Sequence, residues 1–171
     1  MKIKKILIIS LIALAVIASV SAVSAGWFDG LFGEQQKDNV VELDDMTFNT
    51  TNATNFNKFV KPSEDENLKI TIYNGTGNYI LVSFDYSEYY KIDNSSDELM
   101  MKGILDGMKD TPYQVVNGIV IYPSAPVYHN ESNIRQMFTA SVQDTESHKI
   151  IMLSSPDPNE TSKMASTLKF K

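Results

Sequence analysis

The chain has 171 residues, of which 21 are acidic, 15 are basic and none is cysteine, and its net charge is −6. A chain of this length can bury the core of one ordinary domain. The acidic balance excludes nucleic acid as a partner, because it repels phosphate, and the lack of cysteine excludes support from disulfide bonds.

Residues 1–25 have the organisation of an export signal. Three lysines precede the apolar run ILIISLIALAVIASV, and AVSA supplies the small residues that a signal peptidase selects. We predict cleavage after Ala25, with Ala22 as the alternative position. The uncharged run 6–23 has 18 residues, and about 20 span a bilayer, so a retained signal anchor is the other interpretation. Either way the remaining chain is predicted to be extracellular or at the cell surface.

The stretch GWFDGLFG follows the signal. It places Trp27, Phe28, Leu31 and Phe32 so that one helical turn would bring them to one side. We predict that these four residues contact a membrane or a partner, since tryptophan favours the headgroup region; packing against the domain is the alternative. The next residues, EQQKDNVVELDD, are mostly polar. Residues 26–45 are therefore predicted to be a tether, followed by a single α+β domain at 46–171.

The first half of the predicted domain contains a hairpin and a helix. MTFNTTNATNFNKFV, residues 46–60, has the spaced aromatic residues of an irregular or strand-like segment. LKITIYN and YILVSFDY then predict two strands joined by a glycine-rich turn. In SSDELMMKGILDGMKD the period becomes helical, because Met100, Ile104 and Met108 form one apolar stripe.

The second half contains a second hairpin, two further strands and a final helix. Asn117-Gly118 between β-branched runs is the preferred two-residue hairpin turn. IRQMFTASVQD and HKIIMLS predict the two strands. In the last segment Asp157 caps a helix, Pro158 suits its first position, and Glu160 lies three residues after the cap, as in a capping box. Because hairpins dominate, we predict an α+β fold with a mainly antiparallel sheet and two helices packed on one face.

Six Asn-X-Ser/Thr sequons are the second indication of export. The composition of the chain predicts roughly two by chance, so the excess favours a glycosylated protein; polar turns rich in Asn, Ser and Thr are the alternative explanation. The six acceptor candidates are Asn49, Asn52, Asn74, Asn94, Asn130 and Asn159.

The sequence predicts no catalytic residue, no metal site and no cofactor. The two histidines, His129 and His148, lack the spacing of a zinc site. The acidic run DNSSDE at 93–98 lacks the glycine and glutamate of an EF-hand and is better explained as a helix start. Ser124, His129 and Glu131 are close in sequence, which does not establish the geometry of a triad.

A group of tyrosines is the one candidate for a ligand platform. Tyr86, Tyr89 and Tyr90 in DYSEYYK could stack on a sugar or a peptide. The alternative is that their rings cover the edge of the core while their hydroxyls contact water.

Several stretches together resemble a group of small secreted or cell-surface proteins of methanogenic archaea. These are SAGWFDGLFG, FNTTNATNF, VVNGIVIY and the tail SSPDPNETSKMASTLKFK, of which the tail is the most specific. The resemblance covers most of the chain after the signal. It implies export, glycosylation and a small α+β domain, and it transfers no catalytic residue. The order of elements is also similar to that of PsbP-like and Mog1-like domains, a likeness of pattern that carries no function.

These observations lead to one functional hypothesis and two alternatives. The first is a non-catalytic exported domain that binds a surface or envelope protein or a glycan. The second is a membrane-tethered accessory subunit that docks through residues 26–33. A hydrolytic enzyme is the least favoured.

Signal cleavage gives the first testable prediction. Mass spectrometry of protein from an exporting host should find a mature chain that begins at Gly26, because Val23 and Ala25 fit the peptidase positions. An intact N-terminus in the membrane fraction would contradict cleavage and favour the retained anchor.

Overall fold

The structure is a computed structural model that describes residues 39–52, 54–63, 65–129 and 133–171. Side chains at 125–129 and 133–135 also lie outside that description. The described residues form ten strands and three helices. The strands are β1 (Asn39–Glu42), β2 (Met46–Thr50), β3 (Phe56–Lys61), β4 (Lys69–Gly75), β5 (Tyr79–Asp85), β6 (Gln114–Val116), β7 (Ile119–His129), β8 (Asn133–Asp144), β9 (Lys149–Ser155) and β10 (Lys169–Phe170). The helices are α1 (Ser87–Ile92), α2 (Ser96–Met108) and α3 (Pro158–Thr167).

Seven strands form the large sheet, in the order β3-β4-β5-β9-β8-β7-β6. Each pair of neighbouring strands is antiparallel. At its centre, β5 and β9 are buried along almost their whole length. The α+β class with a mainly antiparallel sheet is therefore confirmed.

The two faces of the large sheet support separate hydrophobic cores. On the first, the α2 face, Met100 and Ile104 of α2 pack against alternate residues of the central strands such as Val82 and Met152. On the opposite, small-sheet face, the intervening residues such as Leu81 pack against α3 and a second sheet. That small sheet is antiparallel and has the order β1-β2-β10.

The expectation that both helices pack on one face is wrong. Met100 of α2 and Met164 of α3 belong to cores on opposite sides of the large sheet. The physical reason lies in β5 and β9, whose side chains are apolar in both directions, so each face of the sheet needs its own cover.

The predicted end of the tether at residue 45 is also wrong. Residues 39–42 form β1, which pairs with β2 from Asn39↔Thr50 to Glu42↔Thr47. Val41 is buried in the small-sheet core, and Asp45 accepts hydrogen bonds from the Tyr73 and Ser83 hydroxyls at 2.9 and 3.1 Å. The domain therefore includes residues from 39 onwards.

Local signals act where they were predicted. Asn117 and Gly118 have φ values of 51° and 81° in the β6–β7 turn, as that hairpin requires. Asp157 caps α3 by accepting the Asn159 N–H at 2.8 Å, with Pro158 in the first turn. No helix within the described ranges is long and apolar enough to cross a membrane.

A matched pair of leucine substitutions tests the two-core arrangement. Leu81→Ala removes a fully buried side chain from β5 and should lower the free energy of unfolding by about 3 kcal/mol. Leu105→Ala on α2, where the leucine is 45% exposed, should cost less than about 1 kcal/mol. Urea denaturation measures both values, and equal losses would contradict the assignment of Leu81 to a core.

Candidate functional site

An open groove of about 380 Å³ lies where β1 passes the start of β3. One side of the groove consists of β1 and Leu43, and the other of Thr54, Asn55 and Phe56. Both β1 and β3 are edge strands, one from each sheet. The groove therefore lies where the edges of the two sheets meet.

Aromatic packing fixes the inner wall of this groove. The Phe56 ring makes edge-to-face contacts with Phe48 and Tyr79, with ring centroids 5.8 and 6.5 Å apart. A Cβ atom on Gly75, the residue paired with Phe56, would lie 2.6 Å from both the Phe56 and Thr54 side chains. Only glycine at position 75 leaves room for this wall.

Apolar side chains along the groove and the β3 edge are exposed to solvent. Val40 is 66% exposed, and Phe59 and Val60 are 56% and 55% exposed. Phe59 is paired with Ile72 and points to the α2 face, whereas Val60 points to the small-sheet face. An edge strand with apolar residues on both faces can pair with another strand.

Two lysines, Lys58 and Lys61, flank the apolar pair Phe59-Val60 on β3. The Lys58 ammonium forms a salt bridge with Asp44 in the β1–β2 turn, and this interaction lowers the pKa of the Asp44 carboxyl below its ordinary value. Both side chains are largely exposed, so the pair is weak and exchangeable. Lys61 at the end of β3 is half-buried. β3 therefore carries two positive charges, of which Asp44 pairs with one, while Glu42 lines the adjoining groove.

Glu160 anchors the loop beside the groove. Its side chain is only 4% exposed, and its carboxylate accepts hydrogen bonds from the hydroxyls of Thr50 and Thr51, from the Thr51 N–H at 2.7 Å and from the Tyr79 hydroxyl at 3.3 Å. The expected capping-box bond is not made: the Asp157 N–H donates to the Ser155 hydroxyl at 3.2 Å. A buried carboxylate without a cation needs several donors, and the loop after β2 supplies them.

The tyrosine platform is not formed as expected, because Tyr86 is fully buried. Its hydroxyl donates to Asp97 at 2.8 Å and accepts the Gln143 amide N–H at 2.8 Å. His148 Nδ1 lies 3.0 Å from the same Asp97 oxygen. This network joins the start of α2 to the β8–β9 turn, where His148 has a φ of 53°.

The two other tyrosines also make internal contacts. Tyr89 packs against the α2-face core and donates its hydroxyl to Asp65. Tyr90 stacks on the His148 ring, with centroids 3.6 Å apart. The structure thus brings Tyr86 and Tyr90 together around His148, but as parts of the protein's own packing.

The sequons fall into different environments. Asn49 and Asn74 are half-buried inside β2 and β4, whereas Asn52, Asn94 and Asn159 are exposed in a loop, in a turn and at the start of α3. Asn130 lies outside the described residues.

Other sequence candidates fall outside the description as well. Trp27, Phe28, Leu31 and Phe32 precede residue 39, and neither the His129 side chain nor Glu131 is described. Among the residues that are described, no group of three or more His, Asp or Glu side chains could hold a metal ion.

Sequence reasoning missed the groove and the role of Glu160. The signal for β3 is present, since NKFVK places an aromatic and a β-branched residue between two lysines, as on a protected edge strand. The partners of Glu160 lie at the other end of the domain, and no local pattern indicates them.

The geometry defines an antiparallel α+β domain with an open groove at the junction of two sheet edges. Comparison of the chain with protein-family models, curated proteins and solved structures finds no match.

The buried tyrosine gives a prediction about alkaline pH. Burial raises the pKa of the Tyr86 phenol above its ordinary value of 10.0, and the hydrogen bond to Asp97 raises it further, although the Gln143 bond opposes this. The unfolded chain therefore loses this proton first. The stabilisation is complete below pH 10 and declines as the pH rises above it.

Tyr86→Phe should lower the free energy of unfolding by about 1 kcal/mol at pH 7, because Asp97 and Gln143 lose a partner. Above pH 10 the free energy of unfolding should fall less steeply for the variant than for the wild type. The two slopes should differ by about 1.4 kcal/mol per pH unit. Urea denaturation at several pH values measures both effects. Tyr113→Phe, in which the original ring is 63% exposed, is the control. Equal alkaline slopes in wild type and Tyr86→Phe would contradict the prediction.

Proposed function

We propose that this protein is an exported, non-catalytic binding module that holds an extended segment of a surface or envelope protein along β3 and the adjoining groove. The observation that carries the proposal is the junction of two edge strands, lined by Val40 and Phe56 and continued by exposed Phe59 and Val60.

Strand addition is the binding mode that this surface supports. An extended peptide beside β3 would form main-chain hydrogen bonds with the outer side of the strand, and its alternate side chains would contact Phe59 on one face and Val60 on the other. The groove would receive the apolar side chains of the peptide that pass Phe56. Backbone bonding supplies affinity in this mode, and the flanking pockets supply specificity.

Charge narrows the class of partner. Lys58 and Lys61 would repel the β3 edge of a second copy, as lysines on edge strands do, but they complement a strand that carries Asp or Glu. A partner carboxylate can replace Asp44 at Lys58, since that exposed salt bridge is weak. We therefore propose an acidic, partly apolar segment as the ligand.

A glycan ligand is less favoured than a polypeptide. The tyrosines that could have formed a sugar platform have their rings or hydroxyls engaged with His148, Asp65 and Asp97. The groove itself is lined mainly by aliphatic and amide side chains and one phenylalanine, together with Thr54 and the acidic Glu42.

Export and glycosylation are part of the proposal. The N-terminal signal and the six sequons support them, as does the resemblance to small surface proteins of methanogens. If the signal is retained as an anchor, the same groove would lie on the extracellular side of the membrane. Docking through residues 26–33 is then the alternative function, and it depends on the intact N-terminus.

Single-cysteine crosslinking tests the binding surface, because the chain has no cysteine of its own. Phe59→Cys carrying a photoreactive label should crosslink a defined envelope protein in the native membrane fraction. Ile92→Cys is the control, since Ile92 is 72% exposed on α1 and belongs neither to β3 nor to the lining of the groove. The crosslinked segment, identified by mass spectrometry, should be extended and acidic.

A charge reversal adds the chemical readout. Lys61→Glu, introduced into the Phe59→Cys protein, should reduce the crosslinked yield several-fold. Lys102→Glu, at an exposed position of α2, makes the same change in charge and should leave the yield unaltered. Equal crosslinking from positions 59 and 92, or no difference between the two reversals, would overturn the proposed site.

A further inference from the structure

Asn52 lies at the rim of the groove. The side-chain amide of Asn39, a residue that lines the groove, donates a hydrogen bond of 3.2 Å to the carbonyl of Thr51, which directly precedes Asn52. On the other side, Thr54 lines the groove as well and donates its hydroxyl to the Asn52 carbonyl at 3.0 Å. Asn52 therefore lies close to two groove residues: Thr54 two positions later in the chain, and Asn39 through its bond to the Thr51 carbonyl.

The Asn52 amide is both exposed and oriented. The residue is exposed, yet its Nδ2 donates to the Tyr79 hydroxyl at 2.9 Å, and Tyr79 in turn is held by Glu160. An amide nitrogen carries two N–H groups, so a substituent on Nδ2 would leave the second N–H for Tyr79. A group attached at Asn52 would thus start from a fixed position beside the groove.

The other described sequons are less suitable for receiving a glycan and presenting it at the surface. Asn49 and Asn74 are half-buried within β2 and β4, where an attached sugar would disrupt strand packing. Asn94 and Asn159 are exposed, but the hydroxyls of their sequons belong to Ser96 and Thr161, which are 6% and 0% exposed. The Asn52 sequon combines an exposed acceptor with a Thr54 hydroxyl in a loop.

We propose that Asn52 carries an N-linked glycan and that this glycan controls access to the β1–β3 groove. The donor is a lipid-linked oligosaccharide bound through a glycosyl phosphate. The Asn52 nitrogen forms a bond with the sugar C1, the bond from C1 to phosphate oxygen breaks, and the amide gives up one proton as the lipid phosphate leaves. The Asn52 sequon has the ordinary Asn-X-Thr pattern of N-glycosylation. Because Asn52 lies at the rim, a glycan attached there would stand beside the groove.

The glycan acts as a steric filter. A hydrated oligosaccharide beside Thr54 and Asn55 shields Val40 and the open end of the groove from bulky, folded partners. It still allows a thin extended segment to approach along β3, whose Phe59 and Val60 lie further along the strand. The filtering role rests on the proposed function of the groove; the modification itself rests only on export.

Glycopeptide mass spectrometry tests the modification. In the full-length chain from an N-glycosylating host, residue 52 should carry a glycan. Thr54→Ser should retain it, and Thr54→Ala and Asn52→Gln should lose it, because the sequon needs a hydroxyl at its third position. Finding residue 52 unmodified in such a host, with Asn94 or Asn159 occupied instead, would overturn the proposal.

Labelling of a single cysteine tests the steric role without a partner. Val40→Cys in the groove should react with a bulky maleimide several-fold more slowly in the glycosylated chain than in the same chain with Asn52→Gln. Asn94→Gln should give no acceleration, and Ile92→Cys should react at one rate in all backgrounds. From a host without N-glycosylation, the Val40→Cys rates with and without Asn52→Gln should be equal.

The two proposals fail in distinguishable ways. Equal Val40→Cys labelling rates despite a glycan at residue 52 would refute the filter while leaving crosslinking from position 59 intact. Loss of specific crosslinking from position 59 in the unglycosylated chain would refute the binding function and leave the occupancy of Asn52 unaffected.

Discussion

The central strands β5 and β9 are apolar on both faces, and water must be excluded from each. One face is covered by α2, through Met100 and Ile104. The other is covered by α3 together with a small sheet built from both ends of the domain. Because two covers are needed and the chain crosses the edge of the large sheet to supply the second, β1 comes to lie beside β3. The groove is a consequence of this crossing.

The second cover is held to the rest of the domain by polar bonds as well as by apolar packing. Glu160 on α3 binds the loop that follows β2, and Asp45 at the β1–β2 turn binds hydroxyls on β4 and β5. Both carboxylates accept hydrogen bonds from donors on distant elements. The directional geometry of these bonds, as well as apolar burial, therefore fixes the positions of β1 and β2. A groove wall fixed in this way is held in one arrangement by bonds from both sheets.

Elements with a strong local signal could be predicted from the sequence. The stripe of Met100, Ile104 and Met108, the Asn117-Gly118 turn and the Asp157 cap act within a few residues, and each is found in the structure. The two-sided cover can be inferred from KIIMLSS, in which four successive residues, IIML, are apolar without alternation. YILVSFD, the other central strand, is apolar in both directions over residues 80–82 and carries the same signal.

The candidate site could not be predicted in the same way, for physical reasons. The groove depends on the register of β1 and β3 in two different sheets, and Glu160 meets Thr51 only after the fold has closed. The sequence predicts for Tyr86 either a ligand platform or a ring at the edge of the core whose hydroxyl contacts water. Tyr86 is buried because Asp97 and Gln143 satisfy its hydroxyl, and their positions are set by α2 and β8.

The pairing of β10 with β2 has a kinetic consequence. Lys169 pairs with Thr47 and Phe170 with Met46, so the small sheet joins residues near opposite ends of the domain. Closing such a long loop costs entropy before any contact rewards it, and contacts of this kind form late. Until Phe170 has emerged from the ribosome, β2 lacks one of its two neighbours and the second core stays open. The core on the α2 face contains no residue of β10, so the two faces of the large sheet are expected to close at different stages of folding, with the small-sheet face last.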